Sequence, residues 1–290
     1  MYEKYFGFSK KPFDITPDPN MVYMSEGYKE ALAVLRYGVL DKKGFILLTG
    51  EVGTGKTTLL KLLMKTVSKN VHVCTISNPR LSIDDFYYYL SSEYSLEIYD
   101  GNKGKFLKNF EGFVEKCWEK KQQVLLVVDE AHLLPIELIE EIRLLSNQDQ
   151  HILSIFLVGQ PELNEYLDQK RLLPLRQRIT LSFNLEPYPS GETEYYIRLR
   201  LLRAGGQQLD LFTDEAIELI HKLSKGIPRA INVLCDRALM TGLAENKRVI
   251  TEDVICECAK ELQLFMPEVR GQELNGRNGV WGRLKSVLSC

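Results

Sequence analysis

Apolar residues are distributed along this chain in two rhythms. The first is a set of short blocks at 45–49, 71–76, 124–128, 152–158 and 179–185, each bounded by glycine, proline or polar residues. Blocks of this length without strict alternation predict strands covered on both faces, as in a parallel sheet. The second rhythm is helical. Ala31, Leu32, Leu35 and Val39 share one side of a helix opening near Ser25. Further helices are predicted over 56–67, 82–94, 105–120 and 135–147. Ser82 with Asp85 forms a start signal for the second of these, and Pro135 is expected at the first helical position of the last. Strand and helix alternate to about residue 187, which predicts a doubly wound α/β domain.

Pro187 and Pro189 mark a boundary, and the pattern beyond them is helical only: 190–204, 213–225, 228–245 and 251–263. Thr213 and Thr251 stand where N-caps belong, with acidic residues behind them. The first 24 residues differ from both parts. Phe6, Phe8, Pro12, Phe13, Pro17, Pro19 and Tyr23 predict an extended strap with buried rings, because three prolines between 12 and 19 forbid a regular helix there. Its rings serve either to close a sheet edge or, through Tyr23 or Met24, to flank a base. Residues 264–278 read as a linker. Val280, Trp281, Leu284, Val287 and Leu288 then fall at helical spacing with Arg283 and Lys285 between them, the pattern of a short basic amphipathic helix. The expected organisation is a strap (1–24), an α/β domain (25–187), a helical domain (188–263) and a tail (264–290).

Composition narrows the function classes. Of 290 residues, 44% are hydrophobic and 26% charged, an ordinary globular balance, and the net charge of −2 gives no global basic field for nucleic acid. No apolar run approaches the roughly 20 residues a membrane helix needs. Glu3, Lys4, Lys10 and Lys11 leave no apolar core for a signal peptide. The six cysteines form no Cys-x-x-Cys pair. Cys256 and Cys258 lie two apart, which on a helix puts them on different faces, so reduced thiols are expected rather than a metal site.

The chemistry concentrates in one stretch. Gly50-Glu51-Val52-Gly53-Thr54-Gly55-Lys56-Thr57 fits G-x-x-x-x-G-K-[ST] and continues into Thr58. Glycines let such a loop turn its backbone N–H groups inward onto phosphate oxygens, and the following helix adds its positive end. Lys56 is then the ligand of the β- and γ-phosphates, and the Thr57 hydroxyl a ligand of Mg²⁺. The motif follows an apolar strand and opens a helix, the context it requires. A second carboxylate is expected at the tip of a neighbouring strand, and the block 124–128 ends in Asp129-Glu130. Asp129 is expected to hold magnesium through water, and Glu130 to act as general base on the attacking water. His132 completes Asp-Glu-Ala-His, a helicase tetrad, but the residues after the sheet read as helical only and a second motor domain is not expected among them. It is expected to be a local hydrogen-bonding residue that links the site to its neighbours.

The order of these elements resembles the AAA+ family and, within it, the general-secretion-pathway protein A (ExeA-like) group. The likeness rests on Tyr5-Phe6-Gly7, Pro12-Phe13, Pro17-Asp18-Pro19, Glu30-Ala31-Leu32, the phosphate loop and Asp129-Glu130-Ala131-His132. It continues through Val158-Gly159-Gln160-Pro161-Glu162-Leu163, Gln177-Arg178-Ile179 and Gly226-Ile227-Pro228-Arg229, so it covers about residues 1–263. The resemblance implies a P-loop AAA+ sheet domain with a smaller helical lid, ATP and Mg²⁺ as cofactors, and ATP hydrolysis at subunit interfaces of a homo-oligomer. It implies that Gln160 stands at the sensor-1 position, where the family more often has Asn, Ser or Thr. It makes Arg178, with Arg176 as its rival, the arginine finger for a neighbouring subunit, and Arg229 the sensor-2 residue of the lid. The group is associated with secretion, pilus and polysaccharide-export machines. That implies an envelope-machinery partner, a cytoplasmic location and a peripheral inner-membrane contact through the tail. The alternatives are a DNA-binding ATPase of the transposition-regulator type, with the lysines of 103–121 as its basic patch, and a slow nucleotide-gated switch.

Overall fold

The structure is a computed structural model that describes residues 1–67, 70–147 and 152–262. The linker and amphipathic helix expected at 264–290 lie outside the described residues. In chain order the elements are α1 (Tyr2–Phe6), α2 (Glu26–Leu40), β1 (Phe45–Gly50), α3 (Lys56–Thr66), β2 (Val71–Ile76), α4 (Ile83–Glu93), α5 (Lys103–Glu119) and β3 (Gln123–Val128). They continue with α6 (Ile136–Leu145), β4 (Leu153–Val158), α7 (Glu162–Leu167), α8 (Leu173–Arg176), β5 (Ile179–Leu185), α9 (Ser190–Arg203), α10 (Asp214–Ser224), α11 (Pro228–Ala244) and α12 (Glu252–Leu262). The chain forms two units. One runs from Met24 to Glu186, and the other joins Met1–Tyr23 to the residues from Pro187 onward.

The first unit is built on a five-stranded parallel sheet in the order β2-β3-β4-β1-β5. From β1 the chain crosses to the far edge, returns strand by strand through β3 and β4, and places β5 on the other side of β1. The carboxyl ends of β1, β4 and β3 therefore lie side by side, where an open α/β sheet forms its ligand crevice. The three central strands are almost wholly buried, in keeping with their unbroken apolar sequence. The edges depart from the expectation of two covered faces. In β5 the half-buried residues Ile179, Leu181 and Phe183 alternate with exposed Thr180, Ser182 and Asn184, because an edge strand here has one helix-packed face. Helix starts follow their local chemistry. Ser25, Ser82 and Asn102 cap α2, α4 and α5 by accepting a backbone N–H. Pro135 occupies the N-cap of α6 rather than its first turn. Helices α7 and α8, between β4 and β5, have six and four residues and leave no helical periodicity in the sequence.

The second unit is a helical bundle of α9–α12 around Ile197, Leu201, Ile220, Ile231, Leu239, Val254 and Ile255. Thr213 caps α10 as its position predicts, its hydroxyl accepting from Ala216 N. Cys235, Cys256 and Cys258 are buried in this core. The aromatic N-terminal segment is part of the same unit, and it is not wholly extended. It opens with the short helix α1, carries a 3₁₀ turn at Pro19–Met21, and buries Tyr2, Phe8 and Phe13 in the helical core. Buried Arg200 donates from Nε to Pro12 O at 2.6 Å and from Nη2 to Asp14 O at 2.7 Å. The Tyr2 hydroxyl binds the Asp236 carboxylate. Proline-rich backbone lacks N–H donors of its own, and here its carbonyls are satisfied by arginine instead.

Candidate nucleotide site

The loop between β1 and α3 has the shape its glycines permit. Gly53 and Gly55 adopt φ of +87° and +103°, left-handed conformations that side chains disfavour. At Gly50 a Cβ would stand 2.6 Å from Leu185 O and 3.0 Å from Thr54 Oγ1, so the start of the loop is pressed against the end of β5. The far end is fixed from outside the motif. Buried Tyr28 on α2 donates its hydroxyl to Gly55 O at 3.0 Å and lays its ring against Gly55. That contact spans 27 residues, and sequence reasoning missed it. Thr54 is buried and donates to Glu51 O at 2.9 Å, whereas Glu51 and Val52 are exposed at the loop's crown.

Lys56 is 7% exposed and donates to Gly50 O at 2.7 Å and Glu51 O at 3.0 Å, which folds the ammonium back over the loop. Burial lowers its pKa, and the carboxylates of Glu130, Asp129, Glu51 and Glu162 act in the opposite direction. An ammonium stripped of water over a glycine-rich loop is suited to an incoming polyphosphate. Thr57 lies in the first turn of α3, and its hydroxyl donates to Asp129 Oδ2 at 2.9 Å across 72 residues of sequence. Asp129 is itself buried, and its Oδ1 accepts from Glu130 N at 3.0 Å. The hydroxyl and the carboxylate expected to serve magnesium thus converge beside Lys56, and the all-oxygen donor set suits that ion. Thr58, one residue on, is half-buried in the same turn.

Glu130 turns the chain out of β3 with φ +53° and extends a half-exposed carboxylate. Gln160 follows β4, the strand lying between β1 and β3, and its amide nitrogen is 3.1 Å from His132 Nε2. The structure therefore brings Lys56, Thr57, Asp129, Glu130 and Gln160 to one end of the sheet. The arginines stand elsewhere. Arg178 precedes β5 at the opposite end of the parallel strands. It donates to Arg143 O at 3.3 Å, Ser146 Oγ at 3.0 Å and Asn147 Oδ1 at 2.6 Å, capping the C-terminus of α6. Arg176 pairs with Asp168 at 3.2 Å. Neither reaches its own chain's loop.

Arg229 belongs to the helical unit, where it is exposed on the first turn of α11. The turn before it is fixed by Gly226, at φ +74°, whose absent Cβ would meet Tyr188 O at 2.0 Å. Tyr188 N donates to Gly226 O at 2.9 Å. The Tyr23 ring packs edge-on against Tyr188, with centroids 5.5 Å apart, and against Tyr196 at 6.5 Å.

A phosphate-cradling loop after the first strand of a 2-3-4-1-5 parallel sheet, with an Asp-Glu pair at the tip of β3, defines an AAA+ P-loop ATPase domain. A family model described as "AAA domain" matches residues 39–167, which contain the loop, the acidic pair and Gln160. Within that class the chain is similar to General secretion pathway protein A of Aeromonas hydrophila. The two are 40% identical over 268 residues, which is 90% of this chain and 48% of the relative. The chain thus spans about half the length of that protein. Among solved structures the ORC2 protein of Aeropyrum pernix superposes with a TM-score of 0.65 at 20% identity, covering 88% of this chain and 72% of that one. Cdc6p of Pyrobaculum aerophilum gives 0.61 at 15% identity, with coverages of 89% and 70%. At these identities the two structures support the fold alone. Among the described residues no helix is long and apolar enough to cross a membrane.

Proposed function

We propose that this domain binds Mg-ATP in the 50–58 loop, hydrolyses it, and couples turnover to assembly or remodelling of an envelope machine. The observation that carries this reading is the 2.9 Å hydrogen bond between Thr57 and Asp129, which joins the phosphate loop to the acidic pair that hydrolysis requires. Backbone N–H groups of Gly53, Thr54 and Gly55 with Lys56 hold the phosphates. Thr57 and Asp129 would hold magnesium, and Thr58 would complete the nucleotide-binding turn. The chemistry the metal would supply when bound is neutralisation of phosphate charge. Glu130 accepts the proton of the attacking water, and Gln160 orients that water by hydrogen bonding.

The proposal extends to an assembly. Arg178, or Arg176 in its place, acts as a finger on the γ-phosphate of a neighbouring copy, and Arg229 contacts the γ-phosphate of its own. A planar, always-charged guanidinium fits that task. Loss of the γ-phosphate then releases the helical unit and the subunit interface together. The similarity to General secretion pathway protein A supports a partner in a secretion machine, and the proposal adds a cytoplasmic location with the tail as a peripheral membrane contact.

The test is steady-state phosphate release against protein concentration, with and without double-stranded DNA, for wild type, Lys56→Ala, Arg178→Ala and an equimolar mixture of the two variants. Activity should rise with concentration, ignore DNA, and vanish in each variant. It should partly return in the mixture, where a Lys56→Ala copy lends its arginine to an intact loop. With Arg176→Ala assayed alongside, retained activity in Arg178→Ala and a loss in Arg176→Ala that the Lys56→Ala copy restores transfers the role to Arg176. Strong stimulation by DNA favours the DNA-binding alternative, and a flat, low rate throughout favours a nucleotide switch.

A further inference from the structure

His132 has no assigned role in the chemistry above, yet its ring lies between the two groups that act on water. Its Nε2 is 3.1 Å from Gln160 Nε2. An amide nitrogen only donates, so Nε2 is the acceptor and the imidazole proton sits on Nδ1. Nδ1 is buried and has no hydrogen-bond partner among the described residues. The oxygen it faces is Glu130 Oε2 at 3.6 Å, just beyond hydrogen-bond range. A buried N–H left unpaired costs free energy, and closing the gap by less than an ångström removes that cost. The ring is 14% exposed and passes close to Gly159, where a Cβ would stand 3.2 Å from Nδ1 and 3.4 Å from His132 N, so any larger residue there would displace it.

We infer that His132 is a positioning residue that ties the carboxylate of Glu130 to the amide of Gln160. Its Nδ1–H is held toward Glu130 because Nε2 is held by Gln160. A shift of Gln160, the residue that senses the γ-phosphate side, is thereby transmitted to the carboxylate that takes the proton. The link passes hydrogen bonds only, and no proton leaves the imidazole. A second consequence concerns Gln160. With one amide hydrogen engaged by His132, the other is aimed away from the ring, which gives the long glutamine the fixed orientation a shorter residue would have. The inference rests on the reading of Glu130 as the general base, and the experiment separates the two.

The full chain is assayed for Mg-ATP hydrolysis, for affinity toward a fluorescent ATP analogue and for thermal unfolding, in wild type, Glu130→Gln, His132→Phe, His132→Asn and Gly159→Ala. Phenylalanine keeps the ring and removes both nitrogens, whereas the asparagine amide can stand where Nδ1 stands. His132→Phe should lower kcat roughly 10- to 100-fold, a part of what a positioned base contributes. KM and analogue affinity should change by less than about threefold, since ground-state binding is untouched. His132→Asn, which restores a donor toward Glu130 but not the acceptor for Gln160, should recover part of the lost rate, which a packing role would not allow. Gly159→Ala displaces the ring with its chemistry intact and should lower kcat several-fold, so the test survives a His132→Phe protein that does not fold. Wild-type turnover in His132→Phe or in Gly159→Ala, beside an inactive Glu130→Gln, overturns the positioning role alone. So does a loss in His132→Phe that asparagine does not rescue. Undiminished hydrolysis in Glu130→Gln overturns the reading of the base itself.

Discussion

The turn that presents Arg229 depends on one missing methyl group. In Gly226→Ala the new Cβ would lie 2.0 Å from Tyr188 O and 3.0 Å from Tyr188 C, at a residue with φ +74°. A carbon and a carbonyl oxygen need more than an ångström of further separation, so backbone must move. The left-handed conformation costs about 1–2 kcal/mol for alanine. The bond from Tyr188 N to Gly226 O is lost at about 1 kcal/mol, and backbone displacement adds about 1–3 kcal/mol. The expected destabilisation is therefore roughly 3–6 kcal/mol by these terms, a large share of the stability of an ordinary domain. Gly112→Ala is the control. Gly112 lies within α5 with nothing inside 4 Å of its built Cβ, and alanine there should stabilise by about 0.5–1 kcal/mol. Urea unfolding followed by far-ultraviolet circular dichroism compares the two, with equal m-values as the check on the linear extrapolation. A loss below about 1 kcal/mol in Gly226→Ala would refute the claim that this close approach fixes the turn.

Three further outcomes follow from the same geometry. Thr57→Val removes the donor to Asp129 and should weaken magnesium-dependent nucleotide binding by about tenfold or more, while binding of the metal-free nucleotide changes little. Titration with and without EDTA reads this. Arg200→Met removes two bonds to the carbonyls of Pro12 and Asp14 and should cost about 1–3 kcal/mol, because the Pro12 carbonyl becomes buried without a donor. Early proteolytic cleavage within residues 1–23 would register it. In a Cys290→Ser background the native protein should resist a thiol reagent, because burial pushes the Cys74 thiol up to about 12 and raises Cys117, Cys235 and Cys258 as well. Reaction should begin only with unfolding, since the thiolate is the reactive form.

The parts legible in the sequence were those in which local chemistry and tertiary position agree. The strands β1, β3 and β4 read plainly because burial on both faces leaves unbroken apolar runs. The phosphate loop read plainly because its glycines meet a local backbone demand. The missed parts depend on contacts between distant residues. Nothing near Tyr28 announces that its hydroxyl will reach Gly55, and nothing in the N-terminal segment announces that Phe8 and Phe13 will enter the helical core. Helices α7 and α8 are too short to carry a periodicity. The tie of Arg178 to the end of α6 was equally hidden, since an arginine beside a strand reads the same whether it caps a helix, pairs at the surface or serves a neighbour.

The central claim, that the loop at 50–58 and the Asp129-Glu130 pair hydrolyse Mg-ATP, is tested most directly by measuring phosphate release and nucleotide retention together. Wild type, Lys56→Ala and Glu130→Gln are sufficient. The account predicts turnover in wild type, neither retention nor turnover in Lys56→Ala, and retained ATP without cleavage in Glu130→Gln. Turnover in Glu130→Gln at the wild-type rate, or ATP binding unaffected in Lys56→Ala, would contradict it.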